Sequence, residues 1–217
     1  MILVPVKSLA NAKQRLASVL DQPTRTELAQ AMLFDVLETL ATWTNRPDVG
    51  IVTSDAFAIE LARRFEFEVI PDNANRSETD AIEMATKVCE SRNVDSTLVI
   101  PGDIPLINAN ELEQILEAAP VDGSVLVPAA DGRGTNAAWR RPAGLFPLRF
   151  GNDSFKPHLA AARATQKHCV VLSLPGIALD IDNPSDLRQL AEAPGETRAQ
   201  RLARQWDLTD LSLAANE

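Results

Sequence analysis

Apolar runs recur along the chain at intervals typical of strands separated by helices. They are rich in Val, Ile and Leu, and their apolar residues do not alternate with polar ones. Unbroken apolarity of this kind is typical of strands that helices cover on both faces. Six segments are therefore predicted as strands: MILVPV, VGIVTS, FEVIP, TLVIP, SVLVPA and CVVLSL.

The segments between these runs have the period of helices. In TRTELAQAMLFDVLETLAT, Leu28, Met32 and Val36 fall on one face, which predicts an amphipathic helix. Thr24 and Glu27 have the spacing of a capping box at its start. Similar patterns predict further helices over about 55–65, 78–91, 110–118, 155–166 and 184–192.

This alternation of strands and helices predicts an α/β fold with three layers, αβα, and a mostly parallel sheet. Residues 129–153 are an exception, because Gly, Pro, Asn and Arg interrupt any period there. They are predicted to be loops that leave the sheet and cover a site. One domain is expected over residues 1–193, followed at 194–217 by a helical or flexible tail that could contact a second copy.

Composition narrows the class of protein. The 217 residues are 45% apolar and carry a net charge of −9, which fits a globular domain and argues against a nucleic-acid binder. Cys89 and Cys169 are far apart in sequence and are predicted to be buried free thiols. Without a signal peptide or a long apolar segment, we expect a cytoplasmic protein with no membrane partner.

Ligands of open α/β sheets bind beyond the carboxyl ends of the strands, so the residues after each apolar run are the candidates. Lys7, Lys13 and Arg15 follow the first run, and cations in such a loop indicate either an anion site or a solvated loop. Asp103 follows the fourth run, in PGDIPLI. It either presents a carboxylate at the rim of the sheet or closes a turn.

Two further acids, Asp180 and Asp182, flank Ile181 near the end of the chain. If this stretch is extended, both carboxylates point to one face and, at ~5 Å, repel by about 3 kcal/mol at an effective dielectric constant of about 20. Mg²⁺ or Mn²⁺ would offset this repulsion, with Asp103 as a third ligand if its strand is adjacent. The alternative is two solvated acids beside a helix that begins at Asn183.

The irregular stretch and the segment after it contain neutral hydrogen-bond donors. Thr135, Asn136 and Ser154 could bind a carboxylate or a phosphate, and neighbouring glycines would allow close approach of the backbone. His158 and His168 lack the spacing of metal ligands. Each is predicted to have a structural or surface role.

Five motifs, in order between about residues 3 and 190, resemble those of the 2-phospho-L-lactate guanylyltransferase family: VPVKSLANAKQRL, PGDIPLI, GTNA, RFGNDSF and LDIDNPSDL. The resemblance implies a Rossmann-like nucleotidyltransferase fold of the GT-A type. It also implies transfer of GMP from GTP to 2-phospho-L-lactate, phosphoenolpyruvate or 3-phospho-D-glycerate, with release of pyrophosphate, in coenzyme F(420) biosynthesis. A homodimer is suggested on the same basis.

The resemblance also implies roles for individual residues. The metal ligands would be Asp103, Asp180 and Asp182. The phosphoacid would contact Lys7, Thr135, Gly151 and Ser154, with Lys7 also catalytic. Lys13 and Arg15 would lie near the triphosphate.

One departure from the family pattern lies before the third predicted helix. Relatives usually have Gly-Leu-Asn there, whereas this chain has Glu78, Thr79 and Asp80. An ionised carboxylate accepts hydrogen bonds only, so Asp80 could take both donors on the pairing edge of guanine. Glu78 and Asp80 are therefore candidate nucleotide-binding residues, although the substitution also allows another base.

Two other functions fit the same residues. Asp180 and Asp182 satisfy the Asp-x-Asp metal pattern of GT-A-type glycosyltransferases, which use nucleotide sugars. A catalytically silent nucleotide-binding protein is the alternative from outside the enzymes. Pyrophosphate release distinguishes the guanylyltransferase from both.

Overall fold

The computed structural model describes residues 1–73, 76–151 and 153–206. Within these residues a seven-stranded sheet is formed by β1 (Ile2–Val6), β2 (Val49–Thr53), β3 (Glu68–Pro71), β4 (Thr97–Val99), β5 (Gly123–Pro128), β6 (Thr135–Arg141) and β7 (His168–Val171). The strand order is β3-β2-β1-β4-β6-β5-β7. Neighbours are parallel except where β6 pairs with β4 and with β5, so the sheet is mixed and mostly parallel.

The helices are α1 (Gln22–Thr42), α2 (Ala56–Arg64), α3 (Glu78–Ser91), α4 (Ala109–Glu117), α5 (Phe155–Ala164), α6 (Pro175–Ala178), α7 (Pro184–Glu192) and α8 (Arg198–Ala203). Two short 3-10 turns, Leu9–Asn11 and Gln14–Leu16, lie between β1 and α1. The six predicted strands and the six predicted helices are all present. None of the described helices is both long enough and apolar enough to cross a membrane.

Helices cover both faces of the sheet, which confirms the three-layer αβα prediction. On β1, Ile2 and Val4 pack into a core with α1, α2, α4, α7 and α8, whereas Leu3 packs on the opposite side with α3 and α5. Successive side chains of a strand point to opposite faces, so a strand buried on both sides must be apolar throughout. This is the physical origin of the unbroken apolar runs.

The prediction that residues 129–153 are all loops is wrong, because β6 lies within them, antiparallel between β4 and β5. Its sequence, TNAAWRR, lacks the apolar signal of the other strands. Arg140 is fully buried there, and its guanidinium donates to the Phe146 carbonyl at 2.6 Å and to the Thr86 hydroxyl at 3.0 Å. A charged side chain in a core strand masks the pattern on which the prediction depended.

The capping box predicted at Thr24 and Glu27 is also wrong. Helix α1 begins two residues earlier, at Gln22, and the Asp21 carboxylate accepts the Thr24 backbone N–H at 2.9 Å. Pro23 lies in the first turn, where a backbone N–H has no acceptor within the helix, so the absence of this group from proline costs no hydrogen bond. Asp21 is therefore the N-cap, and Thr24 is already helical.

Both cysteines are free, as predicted, although only Cys89 is fully buried and Cys169 is half-buried. Residues 207–217, most of the predicted tail, lie outside the described residues. Between 194 and 206 the chain forms α8, which packs on the core through Ala199 and Ala203. A contact of this segment with a second copy stays a prediction.

Helix α8 is joined to α1 by one buried carboxylate. Asp35 accepts hydrogen bonds from the backbone N–H groups of Arg198 at 2.9 Å and Ala199 at 2.8 Å. The guanidinium of Arg198 lies over the Phe34 ring, 3.5 Å from its centroid. Asp35 therefore satisfies the unpaired N–H groups at the start of α8 from a neighbouring helix.

Substitution of this carboxylate should destabilise the protein. We expect Asp35→Ala to lower the free energy of unfolding by about 2 kcal/mol, because two buried N–H groups lose their acceptor. Urea denaturation followed by circular dichroism measures it. The control is Glu38→Ala, an exposed acid of the same helix, which should stay within about 0.5 kcal/mol of the parent protein. Equal stabilities of the two variants would contradict the assignment.

Candidate active site

Two adjoining chambers open near the carboxyl ends of β1 and β4. The first has a volume of about 360 Å³ and is formed mainly by the loop after β1. The second, of about 350 Å³, is formed by the start of β6 and the segment before α5. Five residues line both chambers: Arg15, Glu78, Pro101, Asp103 and Asp182. The site therefore lies at the edge of the sheet that the sequence predicted.

A lysine ammonium group lies between two of the acids. Lys13 contacts the Asp103 carboxylate and lies 2.9 Å from Asp182, and its side chain is only 7% exposed. Its backbone is left-handed, with φ of 55°, between the two 3-10 turns. Burial opposes the charge, but the two carboxylates outweigh it and raise the pKa of Lys13 above its usual value. Lys13 is thus a permanent cation inside the cleft.

The acids at the junction differ in their electrostatic environment. Burial, reinforced by Asp103, raises the pKa of Asp180 to about 6. For Asp182 burial acts in the same direction, but Lys13 and Arg15 hold the pKa of this carboxyl below its usual range. The Arg15 guanidinium lies 3.3 Å from Asp182. At neutral pH Asp182 is therefore held as an anion by cations of the β1 loop.

Glu78 contributes a further carboxyl group to both chambers. Burial and, secondarily, Asp103 raise its pKa to about 7, against the opposing effect of Lys13 and Lys7. This residue begins α3, where Ser77 caps the helix through the Asp80 N–H at 3.0 Å. Glu78 is thus placed as a candidate site residue by the structure as well as by the sequence.

The loop that carries Asp180 is fixed from two directions. The Asn136 amide donates to the Asp180 carboxylate at 3.0 Å and to the Ala178 carbonyl at 2.9 Å. The amide nitrogen of Asn136 is thus used within the protein, while the residue also lines the second chamber, and ligand binding by Asn136 stays a prediction. On the other side, the Glu111 carboxylate accepts the N–H groups of Gly176 at 2.8 Å and Ile177 at 2.9 Å.

Sequence reasoning missed Glu111 as a support of the site. The sequence signal for a close contact at this place was Gly176, which follows a proline just before the Asp-x-Asp stretch. A Cβ atom at Gly176 would come within 2.4 Å of the Leu106 carbonyl oxygen, so only glycine fits against the loop before α4. A glycine at such a place indicates a close backbone contact with another element.

The second chamber contains three of the four residues predicted to bind the phosphoacid: Thr135, Gly151 and Ser154. Gly151 has φ of 137°, which side-chain-bearing residues rarely adopt. The fourth, Lys7, is not among them. It lines the first chamber, where its ammonium lies 2.5 Å from the buried Asp72 carboxylate. The four residues are therefore divided between the two chambers.

Asp80 lines neither chamber. It lies on the first turn of α3 and faces the Arg76 guanidinium at 3.6 Å. Its contact with guanine stays a prediction.

The three acids predicted to bind a metal have hard oxygen donors, the type that Mg²⁺ and Mn²⁺ prefer. In the described part of the chain, however, no three acidic, His or Cys side chains are close enough together to hold an ion. The cation between Asp103 and Asp182 is the Lys13 ammonium. The donor chemistry fits a divalent ion, and metal binding at these acids stays a prediction.

This arrangement suits a reaction between two anionic molecules. Lys7, Lys13 and Arg15 provide positive charge along the first chamber, as a polyphosphate requires. The hydroxyl groups of Thr135 and Ser154 provide neutral donors in the second, as a small carboxylate or phosphate requires. The acids lie where the two ligands would meet.

Comparison with known sequences identifies relatives across nearly the whole chain. The family model described as "Guanylyl transferase CofC like" matches residues 1–209. A phosphoenolpyruvate guanylyltransferase of Roseiflexus castenholzii is 37% identical over 94% of this chain and 93% of its own. A 2-phospho-L-lactate guanylyltransferase of Methanothermobacter thermautotrophicus is 30% identical over 95% of this chain and 91% of its own.

Solved structures agree on the fold. A putative nucleotide-diphospho-sugar transferase from Desulfovibrio desulfuricans superposes with a TM-score of 0.77 and 19% identity, covering 94% of this chain and 93% of that one. A 4-diphosphocytidyl-2C-methyl-D-erythritol synthase gives a TM-score of 0.59 at 13% identity, covering 87% and 95%. With the family match over residues 1–209, these results show that the chain belongs to the CofC-like guanylyltransferase family and has a nucleotidyltransferase fold.

Proposed function

We propose that this protein transfers GMP from GTP to a small phosphorylated carboxylic acid and releases pyrophosphate. The supporting observation is that a chamber with three cations and a chamber with hydroxyl donors share one acidic wall, which contains Glu78, Asp103 and Asp182. A nucleotide in the first and an acceptor in the second would meet at that wall. The names of the relatives add phosphoenolpyruvate and 2-phospho-L-lactate as candidate acceptors.

In this proposal, the triphosphate occupies the first chamber. Lys13 and Arg15 lie beside it, as the resemblance implies, and Lys7 joins them because its side chain lines the same chamber. When the triphosphate enters, its oxygens compete with Asp103 and Asp182 for the Lys13 ammonium. Exchange of one set of anionic partners for another keeps this buried cation paired throughout.

The acceptor occupies the second chamber, where Thr135 and Ser154 donate from their hydroxyl groups and Gly151 allows close approach. A phosphate oxygen of the acceptor attacks the α-phosphorus, a new O–P bond forms, and the bond to the β-phosphate breaks as pyrophosphate leaves. That oxygen is already anionic at neutral pH. No protein group is needed to deprotonate it.

We propose Mg²⁺ as the cofactor, with Mn²⁺ as a substitute, held by Asp103, Asp180 and Asp182. Such an ion would neutralise negative charge that develops on the α-phosphate. The Asn136 amide and the Glu111 carboxylate, which fix the loop before Asp180, would keep that carboxylate in position.

We further propose that the reaction belongs to coenzyme F(420) biosynthesis and takes place in the cytoplasm, in a homodimer. The family match supports the pathway. The net charge of −9 continues to argue against nucleic acid as a partner.

The reaction can be tested directly with purified protein. We expect pyrophosphate release with GTP, Mg²⁺ and one of phosphoenolpyruvate, 2-phospho-L-lactate or 3-phospho-D-glycerate, and much less with ATP, CTP or UTP. EDTA should stop release, and excess Mg²⁺ should restore it. Hydrolysis of a nucleotide sugar, with no pyrophosphate in any GTP reaction, would instead support the glycosyltransferase.

Removal of one charge from the acidic wall should affect turnover more than folding. We expect Asp182→Asn to lower kcat at least about 10²-fold, because the wall loses the anion that faces Lys13 and Arg15. The melting temperature should remain near that of the parent protein. The control is Asp122→Asn, a surface acid paired with Lys167, which should keep full activity. Normal turnover in Asp182→Asn would refute this role.

The guanine hypothesis for Asp80 has its own test. If Asp80 accepts from guanine when GTP is bound, Asp80→Ala should lower the GTP-over-ATP ratio of kcat/KM about tenfold or more, because a base-reading acceptor is lost. Competition assays with both nucleotides measure this ratio. Glu83→Ala, an exposed acid of the same helix, is the control. An unchanged ratio would assign base selection to other residues.

A further inference from the structure

A buried histidine adjoins the second chamber, and the proposed reaction does not use it. His158 lies on α5 and is only 1% exposed. Its Nε2 atom accepts the Arg149 backbone N–H at 2.7 Å, and its Nδ1 atom lies 2.9 Å from the Thr135 hydroxyl oxygen. Its ring meets the Phe150 ring edge to face, with 5.3 Å between centroids. Both ring nitrogens are therefore occupied by specific partners.

These two contacts determine the tautomer. A backbone N–H can only donate, so the Nε2 atom must carry a lone pair. The ring proton of a neutral imidazole is then on Nδ1, which donates to the Thr135 oxygen. Burial, with the nearby Arg140 charge, lowers the pKa of His158 to about 4, so the ring is neutral at neutral pH.

The histidine in turn determines what Thr135 can do. The Nδ1 proton takes one lone pair of the Thr135 oxygen, so the Thr135 hydroxyl proton must point away from the imidazole. Among the described residues the Ser154 hydroxyl, at 3.4 Å, is its hydrogen-bond partner, and either hydroxyl group can donate to the other. Thr135 and Ser154 line the second chamber, where an anionic ligand would be a stronger acceptor for both protons.

We propose that His158 is a positioning residue that holds the Thr135 hydroxyl as a hydrogen-bond donor to the anionic acceptor. The chain of contacts runs from the Arg149 N–H through the imidazole to Thr135, and from Thr135 into the chamber. This inference rests on the proposed function, because it assumes that the second chamber binds the phosphoacid. It gives a role to a residue for which the sequence predicted only a structural or surface one.

Two substitutions of His158 test the contributions of its two ring nitrogens separately. In His158→Asn the side-chain amide can replace Nδ1 as donor to Thr135, but it cannot reach the Arg149 N–H. In His158→Gln the amide oxygen can replace Nε2 as acceptor, and the donor to Thr135 is lost. If His158 acts through Thr135, His158→Gln should raise the KM for the acceptor about tenfold to hundredfold, with the KM for GTP unchanged. His158→Asn should lie several-fold closer to the parent protein.

A double-mutant cycle tests whether the effect passes through Thr135. Thr135→Val removes the hydroxyl group and keeps the shape of the side chain. In that background His158→Gln should cause no additional rise in the acceptor KM, because the group it orients is already absent. Additive effects, or equal losses for the acceptor and for GTP, would overturn the proposal and leave His158 a packing residue.

The tautomer can be measured without any turnover. The chain has two histidines, so His168→Asn, a change at an exposed position of β7, leaves His158 as the single imidazole signal. Nitrogen NMR of this variant should show a proton on Nδ1 and none on Nε2 at neutral pH. A proton on Nε2 would overturn the proposal even if the enzyme is active. If no acceptor reacts, the proposed function fails, and calorimetric binding of phosphoenolpyruvate to the His158 variants then decides whether the chamber and its histidine act as inferred.

Discussion

The site depends on two ion pairs that the buried Lys13 ammonium forms with the partly exposed acids Asp103 and Asp182. These residues come from the loop after β1, the loop after β4 and the stretch before α7, which are far apart in sequence. Two carboxylates that contact the same ammonium group would repel each other without that cation between them. The ammonium group therefore joins three loops, two of which carry the acids that line both chambers.

The proposed chemistry follows from this arrangement. In that chemistry the Lys13 ammonium would exchange its carboxylate partners for the phosphates of a bound nucleotide, and Asp103 and Asp182 would then be available to hold the proposed divalent ion. The surrounding backbone is held so that these exchanges occur at fixed positions. Asn136 and Glu111 hold the loop of Asp180, and His158 holds Thr135 on the acceptor side. Each of these residues acts through a neighbour.

Sequence patterns were sufficient wherever burial is continuous. Strands covered on both faces are apolar throughout, and amphipathic helices keep their period, so six strands and six helices were predictable. β6 was not, because Arg140 and three other polar residues, Thr135, Asn136 and Arg141, interrupt its apolar character. Two nitrogen atoms of the buried guanidinium donate to the Phe146 carbonyl, which follows a turn, and to the Thr86 hydroxyl, which is distant in the chain. Such partners cannot be inferred from local sequence.

By itself the sequence determined the αβα architecture, the family membership that five ordered motifs suggest, and the set of charged residues at the strand ends. Each of these is encoded in local pattern and spacing. The tertiary structure decided how those residues group. It placed Lys7 in the first chamber and Thr135, Gly151 and Ser154 in the second, and it left Asp80 outside both. It also brought Glu111 and His158 to the site. Distances between loops are set by packing of the layers, which no single segment of the sequence specifies.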